Sequence, residues 1–398
     1  MHKLVRITTV PMSLLILLRS QLKFMSDYYE VVAISSKGAG LEKVSQQTGL
    51  RTVGINMTRE ITPFKDLKAL WSLYSFLKKE KPTIVHTHTP KAGILGMIAA
   101  RMAGVPLRLH TVAGMPLLIK SGVMRSILEV VEKITYSCAT NVYPNSFLMK
   151  QIIVDNKFCR PEKLKVIGNG SSNGVDVNYF NPNFLGCSTA KDKLRKEYSF
   201  SQNDIVFCFI GRIVADKGIR ELIEAFEMLL ETSENVKLLL LGPFENHLNP
   251  LNEWTEKQIF ENQNIVWVDF KADVRPFFVM SDIFVFPSYR EGFPNVVMQA
   301  GAMGLPSIVS DINGCNEIIE NGKNGLVIPV RNAYALHVAM RELLDDPGKR
   351  QEMAQCSRAI IVEKYDEGFV QRALLNEYDL LCEGRLQVVQ TKVVKTSI

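Results

Sequence analysis

Several absences narrow this sequence before any motif is read. No stretch of its 398 residues approaches the ~18–20 consecutive apolar residues of a membrane-spanning helix. The apolar stretch Met12–Leu18 is only seven residues long, ends at Arg19 and has no small-residue cleavage site, so a secretory leader is not expected. There is no C-x-x-C pair. The seven cysteines (Cys138, Cys159, Cys187, Cys208, Cys315, Cys356, Cys382) are odd in number and widely spaced, which fits neither a disulfide framework nor a zinc site and makes a reducing cytosol the expected compartment. Low-complexity tracts are missing too, and 46% apolar with 22% charged residues excludes a disordered chain. No G-x-G-x-x-G follows the first strand candidate, which disfavours a dehydrogenase. Aromatic residues, 9% of the chain, are not interleaved with basic ones in a recognisable module, so nucleic-acid binding is not expected.

What is present begins with charge. The net +6 conceals an asymmetry: residues 1–190 carry 24 Lys+Arg against 11 Asp+Glu, net +13, whereas residues 191–398 carry 23 against 30, net −7. The two halves therefore face different partners, or one of them faces something anionic. Lys65, Lys68, Lys78, Lys79 and Lys81 lie in or beside one amphipathic segment, a pattern that suits peripheral contact with an anionic membrane surface, a diphosphate-lipid ligand or a merely solvated basic face.

Short β-branched runs alternate with segments of helical period. Strands are expected at Leu4–Thr9, Tyr29–Ile34, Arg51–Ile55, Ile84–Thr87, Leu107–Thr111, Asn141–Pro144 and Leu164–Ile167. The second half repeats the scheme at Ile205–Ile210, Val236–Leu241, Ile265–Val268, Ile283–Phe286, Ser307–Val309 and Gly325–Ile328. Continuous apolar strands separated by helices imply parallel sheets covered on both faces, hence an α/β chain of two Rossmann-like domains. The Gly-, Asn-, Ser- and Pro-rich stretch Gly168–Ser188 marks the boundary, giving domains at 1–180 and 181–365 with a C-terminal helix and tail at 366–398 that loses periodicity after Gly384. Met97, Met102, Met115 and Met124 read as core gap-fillers.

Two loops carry chemistry. Gly211–Gly218 follows strand Ile205–Ile210 and opens helix Ile219–Leu230, so free amides and the positive helix end meet the Arg212 fork and the Lys217 point charge. A diphosphate would fit there; the alternative is a surface turn with both cations paired to Asp216, Glu221 or Glu224. Pro287–Asn295 follows strand Ile283–Phe286 and opens a helix over 296–303, placing Glu291, Gly292 and Phe293 at the carboxyl end of a strand, where open α/β sheets bind ligands. Pro294 suits the helix's first turn, and Asn295 and Gln299, four apart, share one face. Alternatively, Glu291 caps that helix or pairs with Arg290.

Taken together, G-R-x-x-x-x-K-G at Gly211–Gly218, P-S-x-x-E-G-F-P-N at Pro287–Asn295, A-x-x-x-G-x-P at Ala300–Pro306 and N-G-V-D at Asn173–Asp176 resemble the family-four retaining glycosyltransferases, whose GT-B fold sets two Rossmann-like domains facing each other across a cleft. His86–Lys91 and Asp311–Gly314 are similar to the bacterial subgroup that builds capsule, O-antigen and related polysaccharides. The resemblance implies that Arg212 and Lys217 bind the diphosphate of a nucleotide-sugar donor, UDP-linked by expectation, and that Glu291 holds the transferred sugar. It further implies that Gly211 and the stretch Gly292, Phe293, Pro294, Asn295 and Val296 line the donor site. The family's second glutamate, eight positions after the first, is here Gln299, so its contact to the ribose hydroxyls loses its charge. His110 resembles a histidine near the reacting face of the sugar, although related sequences also place one where this chain has Ala113.

The family's Gly-rich loop after the first strand is replaced by Thr8-Thr9-Val10-Pro11-Met12-Ser13, so acceptor contacts there would use the hydroxyls of Thr9 and Ser13. His88, Lys91 and Asn173 complete the expected acceptor and hinge residues. His86 and His88 have no third ligand close by and no Asp-x-Asp element occurs, so no metal or other cofactor is expected. The implied reaction is retaining hexosyl or N-acetylhexosaminyl transfer to a glycan or polyprenyl-diphosphate-linked acceptor, with the hinge closing to exclude water. A sugar-nucleotide 2-epimerase and a non-catalytic sugar-nucleotide binder are the alternatives. The expected location is the cytoplasm, at the inner face of the membrane.

Overall fold

Strand residues alternate between the two faces of a sheet, and in the first half both parities are apolar. Leu4, Val31, Ala33, Ile84 and Leu109 enter one buried cluster, and Val5, Ile7, Val32, Ile34 and Val85 enter another. A sheet covered on both faces is the only way to bury both sets. The computed structural model describes residues 1–115, 117, 121–184, 188–245 and 249–396, excepting the side chains of 188–190 and 385–396, and Cys187 lies outside these. By its contacts the chain divides into two units, Met1–Asn173 with Gly368–Ile398, and Gly174–Glu367.

The first unit holds six parallel strands: β1 (Lys3–Ile7), β2 (Glu30–Ser35), β3 (Arg51–Gly54), β4 (Ile84–His88), β5 (Leu107–Val112) and β6 (Asn141–Pro144), in the order β3-β2-β1-β4-β5-β6. Helices Pro63–Glu80, Pro90–Met102 and Gly122–Cys138 cover one face, their inner residues joining the cluster of Val5 and Val32. The other face is covered by Leu14, Leu18 and Leu22 near the N-terminus and by Leu374, Leu375 and Tyr378 of the last helix, Glu367–Thr396.

The second unit repeats this plan. Strands β7 (Ile205–Ile210), β8 (Val236–Leu241), β9 (Ile265–Val268), β10 (Ile283–Phe286), β11 (Ser307–Ser310) and β12 (Gly325–Ile328) run in the order β12-β11-β10-β7-β8-β9 around one continuous core. Counting from its own first strand, that is the same order as in the first unit. Both units are thus Rossmann-like. The division also sharpens the charge asymmetry: the first unit carries 28 Lys+Arg against 13 Asp+Glu, net +15, and the second 19 against 28, net −9.

Three expectations need correction. Leu164–Ile167 is not a strand, since only a single bridge, Val142 to Leu164, forms there. The last helix does not end near Gly384 but continues to Thr396. Of the four methionines, Met97 and Met115 are buried, but Met102 and Met124 are exposed, because they lie on the outer sides of their helices. Among the described residues no helix is long and apolar enough to cross a membrane.

Candidate active site

In a parallel sheet of this order, neighbouring strands whose connections leave in opposite directions open a crevice at their carboxyl ends. In the second unit these neighbours are β7 and β10, the strands that precede the two loops singled out above. The loops are tied together there. Tyr289 donates its backbone N–H to the carbonyl of Asp216 at 3.0 Å, and Arg290 pairs with the Asp216 carboxylate at 2.9 Å. Gly218 sits against Pro287 with φ 71°, and a Cβ would meet the Pro287 carbonyl oxygen at 2.1 Å. Only glycine permits both that conformation and that approach.

Lys217 and Glu291 form an ion pair across the two loops, with 14% and 16% of their side chains exposed. The Lys217 ammonium also lies 5.4 Å from the centre of the Phe286 ring, and Ser288 donates its hydroxyl to Glu291 Oε1 at 2.8 Å. Arg212 pairs instead with Glu245 at 3.0 Å. The surface-turn alternative therefore does not hold: Glu224 takes Arg220, Glu221 takes the Tyr289 hydroxyl, and Asp216 takes Arg290. Nor does Glu291 cap a helix. Helix Asn295–Ala302 has Pro294, one residue earlier than expected for a first-turn position, as its N-cap and no side-chain cap, so its first amides have no partner within the helix. Asn295 and Gln299 are half-buried on this helix, Val296 likewise, whereas the Phe293 ring turns inward to pack 5.4 Å from that of Tyr365.

The first unit obeys the same rule at β1 and β4. Thr9, after β1, shares a 2.7 Å hydroxyl contact with Thr89, after β4, and Lys91 pairs with Asp66 at 2.5 Å. Ser13 is half-buried on the turn Pro11–Ser13, and Asn173 is half-buried at the end of the unit. Sheet parity separates the histidines. His86 and His88 share a face with Leu4, Ile84 and Leu109, while His110, one residue on from Leu109, points to the opposite face. There it meets the Thr87 hydroxyl at 2.8 Å and packs so closely on Gly93 that a Cβ would lie 2.5 Å from its ring. His86 engages both ring nitrogens, with Tyr378 at 2.5 Å and Thr111 at 2.7 Å, and His88 Nε2 accepts from Arg6 at 3.1 Å.

Residues 190–359 match the model of "Glycosyl transferases group 1", and residues 24–170 match a "Glycosyl transferase 4-like domain". The chain is 32% identical over 380 residues to the "Capsular polysaccharide biosynthesis glycosyltransferase CapM" of Staphylococcus aureus, covering 95% of this chain and 97% of that one. It belongs to the family-four, group 1 glycosyltransferases. This glycosyltransferase is also 31% identical, over 77% of each chain, to the Escherichia coli "UDP-Gal:alpha-D-GlcNAc-diphosphoundecaprenol alpha-1,3-galactosyltransferase". Its fold is that of Anabaena HepE, solved in complex with UDP, at a TM-score of 0.78 and 17% identity over 95% of this chain and 99% of that one.

Two parts of the glycosyltransferase had no role assigned from the sequence. Asn313 is buried and donates its amide to the carbonyls of both Gly292 and Glu291, holding the peptide on which the carboxylate stands. Gly314 beside it approaches Gly292 so closely that a Cβ would meet that carbonyl oxygen at 2.5 Å. The Asp311–Gly314 turn was visible in the sequence, but its partner lies 21 residues away along the chain. The other part is Arg6, wholly buried and donating to His88, Tyr378 and Gln21 with no carboxylate among these partners. A lone arginine in an apolar strand gives no sign of such a network.

Burial pushes His110 down to about 4, and it also holds His86 and His88 well below the ordinary imidazole range, helped by mutual repulsion and by Arg6. An unfolded chain takes up these protons near pH 6.5, whereas the folded one resists until lower pH, so the stability they confer is complete above about 6.5 and is lost as pH falls towards 4. The expected Tm therefore declines through that window in thermal unfolding, with a shallower slope in a His86→Gln variant. Equal slopes would contradict this account.

Proposed function

We propose that this glycosyltransferase moves a sugar from a UDP-linked donor, with retention at the anomeric carbon, to a hydroxyl of a lipid-diphosphate-linked glycan during bacterial surface-polysaccharide synthesis. The observation that carries the reading is the Lys217–Glu291 pair at the β7/β10 crevice, with Arg212 on the same loop. The names of the relatives support it: one makes capsular polysaccharide, and another uses UDP-galactose and a diphosphoundecaprenol acceptor.

In this reading the diphosphate displaces Glu245 and Glu291 as counter-ion of Arg212 and Lys217. These cations and the first-turn amides of helices Ile219–Leu230 and Asn295–Ala302 stabilise the departing charge, without a divalent metal. Glu291, released from Lys217, holds the hexosyl or N-acetylhexosaminyl group against the backbone of Gly292–Val296, and Gln299 takes the ribose. The leaving diphosphate accepts the proton of the attacking hydroxyl on the face it leaves, which is what preserves configuration. His110, neutral at physiological pH, serves as a hydrogen-bonding group rather than a cation. Thr9, Ser13, His88, Lys91 and Asn173 serve the acceptor, and the basic first unit meets an anionic membrane at the cytoplasmic face.

A thermal-shift comparison of UDP, GDP and ADP tests the donor. UDP is expected to stabilise the protein by about 2.7 kcal/mol at ~100 times its Kd, and equally in EDTA, while GDP and ADP shift Tm less. No shift with any nucleotide would overturn the donor reading. Epimerised UDP-sugar formed without acceptor would replace transfer with epimerisation.

A further inference from the structure

Helix Gly122–Cys138 buries Thr135, Tyr136 and Cys138 yet leaves an apolar stripe in solvent: Val123, Ile127, Val130 and Ile134 are 78%, 43%, 55% and 40% exposed. The spacing i, i+4, i+7, i+11 puts all four on one side of the helix. A neighbour repeats the pattern. Helix Pro63–Glu80 exposes Phe64, Leu67 and Trp71, again within one turn-to-turn stripe, with Lys68 and Lys78 on the same side. Helix Pro90–Met102 contacts both, and all three bury their inner sides in one cluster, so both stripes leave the same face of the sheet. Two independent stripes on one layer exceed the scattered apolar residues of an ordinary surface.

The charges around the stripes select what covers them. Lys133 lies on the striped helix, and with Arg101, Arg160 and Lys163 it lines a basic pocket at that helix's C-terminal end; no acidic side chain is among its described lining residues. Burial and repulsion from Arg108, Arg160 and Arg101 lower the affinity of Lys163 for its proton, so the pocket favours an anion. Of the acids near the stripes, Glu129 pairs with Arg125 at 3.0 Å and Asp66 with Lys91, while Glu132 is buried beside Tyr136 and Glu162 stands exposed between Arg160 and Lys163. A second copy presenting the same face would bring two units of net +15 together.

We propose that the outer face of helices Pro63–Glu80 and Gly122–Cys138 is a docking surface for a bilayer containing anionic lipid, with the stripes entering the headgroup boundary and the Arg101, Lys133, Arg160 and Lys163 pocket taking a lipid phosphate. This deepens the membrane contact proposed above, which it needs, by assigning it to particular residues. The basic surface supplies attraction and the apolar stripes supply depth, the two contributions that interfacial helices combine.

The test is co-sedimentation of the full chain with phosphatidylcholine vesicles, with and without phosphatidylglycerol, for the wild type, Ile127→Glu/Val130→Glu and Lys133→Glu/Arg160→Glu. Wild type is expected to bind only the anionic vesicles, and high salt to release it. Ile127→Glu/Val130→Glu is expected to weaken binding by about tenfold or more. The positions are exposed, and an unchanged UDP-induced shift in Tm verifies that each variant is folded. If the wild type binds and both variants bind equally well, the assigned surface is wrong while membrane contact stands. If the wild type responds to UDP but binds no vesicle, membrane contact itself fails and takes this inference with it. If Ile127→Glu/Val130→Glu instead converts a dimer to a monomer, the face belongs to a second copy and the inference is overturned.

Discussion

Replacing Glu291 with glutamine is expected to lower kcat for sugar transfer by about 10²–10³-fold while leaving UDP-induced stabilisation in place. The substitution keeps size and shape, and the new amide oxygen still accepts from Ser288, which donates at 2.8 Å. What disappears, in the function proposed above, is the negative charge beside the sugar that becomes cationic as its bond to the diphosphate lengthens. Because that charge develops only on the way to the transition state, the loss falls on kcat more than on KM. Initial rates at saturating UDP-sugar, with and without acceptor, measure it. Turnover close to wild type would reduce Glu291 to a counter-ion for Lys217.

Lys217→Ala carries the second large effect, in a different parameter. Its expected loss is about 10³-fold in kcat/KM, with weaker stabilisation by UDP, because in the proposed function the ammonium meets a diphosphate that is charged in the ground state and more so on departure. Truncation also strands the Glu291 carboxylate, of which only 16% of the side chain is exposed, so Tm drops in the free protein. Lys217→Ala/Glu291→Gln is expected to regain Tm but not activity, a separation that a purely structural ion pair would not give. Lys217→Arg is not expected to rescue, because a planar fork cannot replace a compact charge seated 5.4 Å over the Phe286 ring.

That both residues stand on loops at the carboxyl ends of strands was legible in the sequence, and the reason is local. Each stands on a loop that leaves a continuous apolar strand and enters a helix, so strand, loop and helix could be aligned by period alone, and all twelve strands fall within two residues of the runs expected from the sequence. The pairings were not legible. Lys217 had three acids near it in the sequence, but its partner is 74 residues away, because β7 and β10 are neighbours only once the strand order is known. The Leu164–Ile167 run has strand composition but no strand to extend, since β6 is already only four residues long and meets it at one bridge. The stripe on helix Gly122–Cys138 was hidden for the opposite reason: an apolar period shows that a helix has a hydrophobic side, not which side the core takes.

Arg6 lies in the first strand, and the hydroxyl of Tyr378 that accepts from it at 3.1 Å belongs to the last helix, 372 residues later. During synthesis, then, the N-terminal unit emerges with Leu14, Leu18 and Leu22 but without the rest of the cover for that face of its sheet, and with only two of the three named partners of its buried guanidinium. The Gly174–Glu367 unit, contiguous in the chain, has all its strands before that helix is made. The usual order of domain completion along a nascent chain is thereby reversed. The half that is translated first is the one that closes last, and until the Glu367–Thr396 helix is made Arg6 lacks its Tyr378 partner and the apolar residues beneath Tyr378 stay uncovered.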